Sequence, residues 1–262
     1  MRDRRNHSIS NQTYAGGYFS TAGGSAANYV AKWNGSGWSA LGSGVGGGTY
    51  RYVYALTVSG SHVYAGGLFT TAGGSTANYI AKWDGSSWTA LGSGMGDGPS
   101  YPPSVYALAV SGGDVYAGGY FTTAGGNAGN YIAKWNGSSW TALGSGIGGS
   151  GLPLSVHALA VSGSDLYAGG DFTTAGGKVP AYCIARAYLL PLPTLSVLRS
   201  GSQAMVSWPS ADTAGFGLEH ADSPTAPASW VSNTASVTDD GTNKSVTLPA
   251  TNRAQFFRLR RP

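Results

Sequence analysis

The sequence predicts an all-β chain built from tandem copies of one four-stranded unit, followed by a separate small β module. Three observations predict this class. The tetrapeptide YAGG recurs at spacings of 50, 52 and 51 residues, beginning at Tyr14, Tyr64, Tyr116 and Tyr167. Residues 64–95 match residues 116–147 at 26 of 32 positions. Glycine is abundant, with 43 of 262 residues, yet eight Trp and sixteen Tyr supply enough apolar surface to order the chain.

One unit shows how the strands follow one another. VYALAVSG (105–112) and DVYAGGYFT (114–122) are β-rich runs separated by a tight glycine turn. After a glycine-rich connection, NYIAKW (130–135) and SWTALGSG (139–146) flank an Asn-Gly pair, which is a strong hairpin signal. We therefore predict four antiparallel strands per unit, named A to D in chain order. The two tryptophans that flank each hairpin should face each other across strands C and D.

A four-stranded unit of this length that stacks on copies of itself fits the description of a β-propeller blade. The chain resembles kelch-like and cortical-marker-like bacterial propeller repeats in the YIAKW of strand C and in the double glycines of strand B: Gly66-Gly67, Gly118-Gly119 and Gly169-Gly170. The first unit lacks strand A, and the last lacks the strand-D hairpin. The resemblance therefore implies a partial or a four-unit β-propeller. We favour an open arc, whose exposed end units would promote self-association.

The chain divides into four parts by composition. The parts are an irregular N-terminal segment at 1–13, the propeller repeats at 14–190, a Pro-rich linker at 189–194 and a terminal module at 195–262. The four repeat units span about 14–48, 53–98, 105–149 and 156–188.

Six short β-rich runs in the terminal module predict a small β-sandwich. Its expected core consists of Trp208, Phe216, Trp230, Phe256 and Phe257. In its order VSWP, GFGLEHA and FFRLRR, the module resembles the immunoglobulin- or fibronectin-like modules that end many large secreted bacterial proteins. That resemblance implies a secreted or cell-surface setting.

The charge distribution argues against a nucleic-acid partner. The net charge is +4, but residues 14–190 hold six Lys and Arg against five acids, and residues 195–262 hold the same numbers. A nucleic-acid surface needs clustered positive charge. The basic N-terminus lacks an apolar signal-peptide core, and no apolar stretch is long enough to cross a membrane. We expect an extracellular or cell-surface protein, or a fragment of a longer one.

The sequence lacks a recognisable catalytic or metal-binding pattern, so we expect no cofactor, no metal and no enzymatic activity. The four histidines stand in four different contexts, and Cys183 is the single cysteine. His157 occupies the position that Tyr54 and Tyr106 fill in other units, where a half-buried strand residue is expected. Glycoside hydrolysis needs two converging carboxylates, and the acids of the repeats do not form such a pair. The turn sequence DDGTN (239–243) lacks the ligand spacing of a calcium loop.

The variable connections between strand D and the next strand A are the best candidates for binding. In a propeller these D–A connections share one face with the B–C connections, and loops on a rigid scaffold commonly carry specificity. The candidate residues are Tyr50, Arg51, Tyr52, Asp97 and Tyr101. We therefore predict a non-enzymatic repeat protein that binds a glycan or a protein through this face. A propeller-type glycoside hydrolase or lyase, and a truncated fragment without independent function, are the alternatives.

Overall fold

A computed structural model describes residues 12–98, 100–150, 153–177, 179–189, 193–210, 216–223, 230–249 and 255–260. These residues form β-strands and turns, with no helix among them, so the all-β prediction is confirmed. The chain splits into two compact parts, which we call the repeat domain (Met1–Leu189) and the terminal module (Leu190–Pro262). The predicted irregular segment 1–13 lies outside the described residues, apart from Gln12 and Thr13.

The strands of the repeat domain follow the units in chain order. Unit 1 and its D–A connection hold β1 (Thr13–Gly16), β2 (Thr21–Ala22), β3 (Ser25–Ala26), β4 (Val30–Trp33), β5 (Trp38–Ala40) and β6 (Val45–Gly46). Unit 2 holds β7 (Tyr52–Ser59), β8 (His62–Leu68), β9 (Thr71–Ala72), β10 (Ser75–Thr76), β11 (Ile80–Trp83), β12 (Trp88–Ala90) and β13 (Met95–Gly96). Unit 3 holds β14 (Ser104–Ser111), β15 (Asp114–Tyr120), β16 (Thr123–Ala124), β17 (Asn127–Ala128), β18 (Ile132–Trp135), β19 (Trp140–Ala142) and β20 (Ile147–Gly148). Unit 4 holds β21 (Ser155–Ser162), β22 (Asp165–Asp171), β23 (Thr174–Ala175), β24 (Val179–Pro180) and β25 (Ile184–Tyr188).

The long strands of each unit form one antiparallel sheet. Units 2 and 3 have the complete order A-B-C-D, as β7-β8-β11-β12 and β14-β15-β18-β19, so the four-stranded prediction is confirmed there. Unit 1 has β1-β4-β5, and unit 4 has β21-β22-β25. The predicted tryptophan pairs face each other across every C–D hairpin, with ring centroids 5.5–5.6 Å apart: Trp33–Trp38, Trp83–Trp88 and Trp135–Trp140.

Short strands connect neighbouring units. The D–A connection of each unit pairs with the B–C hairpin of the next, giving the three-stranded sheets β6-β9-β10, β13-β16-β17 and β20-β23-β24. The D–A and B–C connections of adjacent units therefore lie together, as expected. In addition, the indole N–H of Trp88 donates to Leu41 O at 2.7 Å, and that of Trp140 donates to Leu91 O at 2.8 Å.

The core of the repeat domain lies between successive sheets. Strand β14 packs against both β7 and β21, and three apolar clusters each draw side chains from two adjacent units. The first glycine of each AGG motif permits this approach: a Cβ on Gly118 would lie 2.5 Å from Val156 Cγ1 of the next unit. Among the described residues the sheets do not close into a ring. The structure thus establishes stacked antiparallel sheets rather than a complete propeller.

The terminal module consists of two antiparallel sheets around one apolar cluster. Its strands are β26 (Ser196–Ser200), β27 (Gln203–Pro209), β28 (Gly217–Ala221), β29 (Val231–Ser232), β30 (Thr238–Asp239), β31 (Asn243–Pro249) and β32 (Phe256–Arg260). Their orders are β26-β27-β31-β30 and β29-β28-β32. Trp208 and Phe257, two of the five expected core residues, belong to the cluster. Trp230 is instead half-buried, with the Arg258 guanidinium 4.1 Å above its ring.

Candidate functional site

A β-bulge interrupts strand A at the same position in units 2, 3 and 4. The pairing between strands A and B skips one residue there, which leaves Tyr54, Tyr106 and His157 as the extra residues. The second glycine of each AGG motif faces the bulge, and a Cβ on Gly119 would overlap the carbonyl oxygen of Ser104. Bulges redirect side chains and are common beside functional sites. Three rings at equivalent bulges therefore come together in space.

These rings belong to a longer series of side chains in ring contact, which we call the aromatic row: Tyr18, Tyr52, Tyr54, Tyr106 and His157. Three of its contacts are stacked, and the one between Tyr54 and Tyr106 is edge-on. Successive ring centroids are separated by 4.8, 5.5, 5.4 and 5.4 Å. Tyr18 is 70% exposed and Tyr54 is 45% exposed. The row crosses all four units, so it exists only because the units stack.

The row ends at a pocket of about 270 Å³, which we call the bulge pocket and which is lined by Tyr101, Tyr106, Tyr120, Pro153, Ser155, His157 and Asp171. Tyr101 is exposed at the rim, with its ring centroid 6.3 Å from that of the buried Tyr120. The backbone N–H of Ser100 donates to the Tyr120 hydroxyl at 2.9 Å, which fixes that ring. The pocket thus joins strands A and B of units 3 and 4 with the connection between those units.

Ser155, His157 and Asp171 form a hydrogen-bonded group in the pocket. His157 Nε2 lies 2.9 Å from Asp171 Oδ2 and 3.0 Å from Ser155 Oγ. A nucleophilic relay needs the carboxylate and the hydroxyl on opposite ring nitrogens. Here both oxygens approach the same nitrogen, so the group does not form such a relay. The pocket lining also holds a single carboxylate, whereas glycoside hydrolysis uses two.

Within the row, Tyr54 is held in its neutral, hydrogen-bond-donating form. Burial raises the pKa of Tyr54, and the neighbouring Tyr106 and Tyr52 raise it further. Burial likewise raises the pKa of Tyr131, with a contribution from Tyr120. Neutral phenols place hydroxyl groups beside apolar ring faces, which suits a ligand with both kinds of surface.

Strained backbone conformations occur next to the aromatic row and the bulge pocket. Tyr29, Tyr79 and Tyr131 precede strand C in their units, and all three have a left-handed φ of 67–70°. The second glycine of the AGG motif supports each residue, as where the N–H of Gly119 donates to Tyr131 O at 3.0 Å. Strain of this kind persists only when the surroundings enforce it, and it clusters at functional sites.

The structure brings together two of the five candidate residues from the sequence. Tyr52 belongs to the aromatic row and Tyr101 to the bulge pocket. Tyr50 and Arg51 are exposed on the D–A connection, away from the pocket lining. Asp97 has a left-handed φ of 49°, where the other units carry glycine, and its carbonyl oxygen accepts the Thr122 N–H at 2.9 Å. Asp97 thus shapes the turn.

The sequence reasoning did not identify the polar residues of the pocket. His157, which was expected to be half-buried, has a side chain that is 53% exposed, because the bulge turns it outward. Asp171 stands where the other units carry Tyr18, Leu68 and Tyr120. One feature of the sequence could have indicated them: His157 and Asp171 both differ from the residues at the equivalent positions of the other units, and both belong to unit 4.

Within the described residues, no group of three His, Cys, Asp or Glu side chains could hold a metal ion. The described part of the chain also contains no helix that could span a membrane. The turn sequence DDGTN forms a turn, as predicted, in which Asp240 Oδ1 accepts the N–H groups of Thr242 and Asn243 at 2.8 and 2.7 Å.

No family model matches this sequence. No curated protein matches it either. Among solved structures, it is similar to the computationally designed Ika8 protein, with 15% identity and a TM-score of 0.33. The match covers 68% of this chain and 49% of the designed one, so this chain spans about half the length of that protein. A TM-score this low does not establish a shared fold.

Proposed function

We propose that the protein is a non-enzymatic binding protein that holds a glycan along the aromatic row and anchors it in the bulge pocket. The observation that carries this proposal is the continuity of the row. Five rings in contact cross four units and end at a pocket that combines aromatic walls with one carboxylate, one imidazole and one serine hydroxyl. Ligand sites typically have such apolar walls and a few oriented polar groups.

The chemistry of a neutral glycan matches these groups. Sugar rings have apolar C–H surfaces that can pack against the exposed parts of the tyrosine side chains, while their hydroxyls can donate to Asp171 and accept from neutral phenols. A carboxylate in the pocket disfavours anionic sugars by charge repulsion. Rings spaced about 5 Å apart offer repeated contacts to an extended polymer, so longer glycans should bind more tightly than short ones.

The proposed setting and architecture follow the resemblances in the sequence. We place the protein outside the cell or on its surface, since its terminal module resembles those of secreted bacterial proteins. A kelch-like arc of propeller blades is supported by the face-to-face packing of β7, β14 and β21. Cell fractionation that finds the chain only in the cytoplasm would contradict the proposed location.

A glycan array, followed by calorimetric titration of the best neutral glycan, tests the binding proposal. Asp171→Asn should weaken binding by roughly tenfold or more, because a hydrogen bond to a charged acceptor is lost. Asp114→Asn is the matched control, since Asp114 is the first residue of β15 in unit 3, outside the pocket lining, and pairs with Lys134 Nζ at 3.1 Å. Tyr54→Ala should weaken binding of long glycans and leave short ones unaffected.

Three results would reject the proposal. One is an array without neutral-glycan binding, the second is equal affinity for the wild type and Asp171→Asn, and the third is hydrolysis of the bound glycan. Measuring product release during the titration separates binding from turnover.

A further inference from the structure

Between units 3 and 4, the described residues leave unfilled a site that holds a tryptophan between the earlier units. We infer that this site binds an extended polypeptide strand of the form Trp-Thr/Ser-Ala-Leu from another protein. We call it the Trp slot and define it by Leu143, Gly144, Gly176 and Ala187. The chain itself shows what this site accepts, because two equivalent sites are filled by its own strands.

The two filled sites share one geometry. Between units 1 and 2, the Trp88 indole N–H donates to Leu41 O; between units 2 and 3, Trp140 donates to Leu91 O. Each of these carbonyl oxygens also accepts a backbone N–H three residues later, at 3.0–3.1 Å. The donor tryptophan lies on strand D of the following unit, and the Trp of strand C pairs with its ring.

The third site has the same acceptor and no tryptophan. Leu143 O accepts the Gly146 N–H at 2.9 Å, and within the described residues it receives no indole N–H. In unit 3 a Cβ on Gly125 would lie 3.1 Å from Trp140 Cβ, whereas a Cβ on the equivalent Gly176 would meet nothing within 4 Å.

The strand-C tryptophan is missing as well. Trp135 pairs with Val115, and the corresponding pair in unit 4 is Leu166 with Ala187. A Cβ on Gly92 would approach the Trp135 ring at 3.2 Å, whereas a Cβ on Gly144 would again meet nothing within 4 Å. Unit 4 therefore lacks the equivalents of both Trp135 and Trp140, whose rings lie side by side in unit 3. A cleft of about 550 Å³ with mainly small and apolar lining residues lies at this position.

Within the described part of the repeat domain, β25 is the edge strand of the sheet beside this cleft. Among the described residues, β25 pairs with β22 alone, whereas its counterpart β18 pairs with both β15 and β19. An incoming strand can therefore add to β25 by backbone hydrogen bonding while its tryptophan enters the cleft, which is the usual mode of β-strand addition. In the register of unit 3, that tryptophan lies opposite Ala187.

The probe is a fluorescein-labelled peptide with the sequence of residues 138–144, SSWTALG, titrated with the full chain and followed by anisotropy. Saturable binding is expected, and it should disappear when the tryptophan of the peptide is replaced by alanine. Ala187→Trp should tighten binding by roughly two- to tenfold, because it restores the cross-strand aromatic pair.

A matched pair of variants tests whether the peptide binds in the Trp slot. Gly176→Asn introduces a side chain into the slot, and asparagine tolerates the left-handed φ of 62° at this position. It should weaken binding by roughly tenfold or more. Gly163→Asn should have no effect, because Gly163 has a similar φ of 57° and open space, but lies in the A–B turn.

The inference fails if both peptides bind equally, if neither binds, or if the two variants behave alike. Sedimentation of the chain without peptide tests whether a second copy of the chain occupies the slot instead. A concentration-dependent dimer that Gly176→Asn abolishes would mean that a second copy fills the slot, and it would overturn the assignment to a separate protein.

Discussion

Replacing Gly118 with alanine tests whether the units depend on close stacking. A Cβ at this position would lie 2.5 Å from Val156 Cγ1 and 3.3 Å from Leu159 Cδ1 of unit 4. Val156 is fully buried, so it has little room to move. Overpacking of this kind costs about 1–3 kcal/mol of unfolding free energy.

The same motif supplies the control. A Cβ on Gly169, the equivalent glycine of unit 4, would lie 3.7 Å from Cys183 O and 3.9 Å from Ala158 Cβ, both ordinary contacts. Gly169→Ala should therefore be neutral or stabilise by about 0.4–1 kcal/mol, since alanine restricts the unfolded chain. Identical changes in two YAGG motifs should thus differ by about 1 to 4 kcal/mol.

Urea unfolding followed by tryptophan fluorescence gives the change in stability, and native-state hydrogen exchange gives its location. In Gly118→Ala, protection should fall first in residues 155–171, because that unit loses its packing partner. Equal stabilities for the two variants, or a loss of protection spread evenly over all units, would refute stacking as the source of stability.

Two further predictions concern the hairpins and the indole bonds. The N–H groups of Ser86 and Ser87 hold the pKa of Asp84 well below its ordinary value of 3.8, so its stabilising effect is full above that pH and is lost as the pH falls further. Asp84→Asn should match the wild type at neutral pH and lose this acid dependence, and an unchanged acid-unfolding profile would contradict this. Trp88→Phe should cost about 0.5–1.5 kcal/mol in urea unfolding through the lost bond to Leu41 O. Trp38→Phe should cost less, because within the described part of the chain the Trp38 indole N–H makes no equivalent hydrogen bond.

The chain contains its own reference for the Asp84 prediction. Asn34 and Asn136 occupy the same hairpin position, and their Oδ1 atoms accept the equivalent backbone N–H groups at 2.9–3.0 Å. An amide at this position therefore makes the same turn without a titrating group. This is why Asp84→Asn removes the charge and keeps the structure.

Much of the repeat could be predicted because its signals are local. Hairpin residues such as Asn136-Gly137 fix a turn within four residues, and alternating apolar runs fix the strands beside it. The facing of Trp135 and Trp140 follows from the turn length alone. Because the repeat occurs in several copies, each of these predictions applies to the equivalent residues of the other units.

Less of the candidate site could be predicted from the sequence. Tyr52 and Tyr101 were candidates because the D–A connections vary between otherwise similar units. His157 and Asp171 are 14 residues apart, and they meet only because strands A and B pair with the bulge between them. An alternating pattern does not reveal a bulge, since the run SVHALAVS reads as a continuous strand.

The sequence by itself determined the all-β class, the strand order within a unit and the C–D hairpins, because turn chemistry and side-chain alternation act over a few residues. Tertiary structure alone decided the aromatic row, the bulge pocket and the open Trp slot. Each of these depends on side chains or backbone atoms from different strands or different units. Their positions follow from how closely successive sheets approach, and contacts between units, such as the one between Gly118 and Val156, limit that distance.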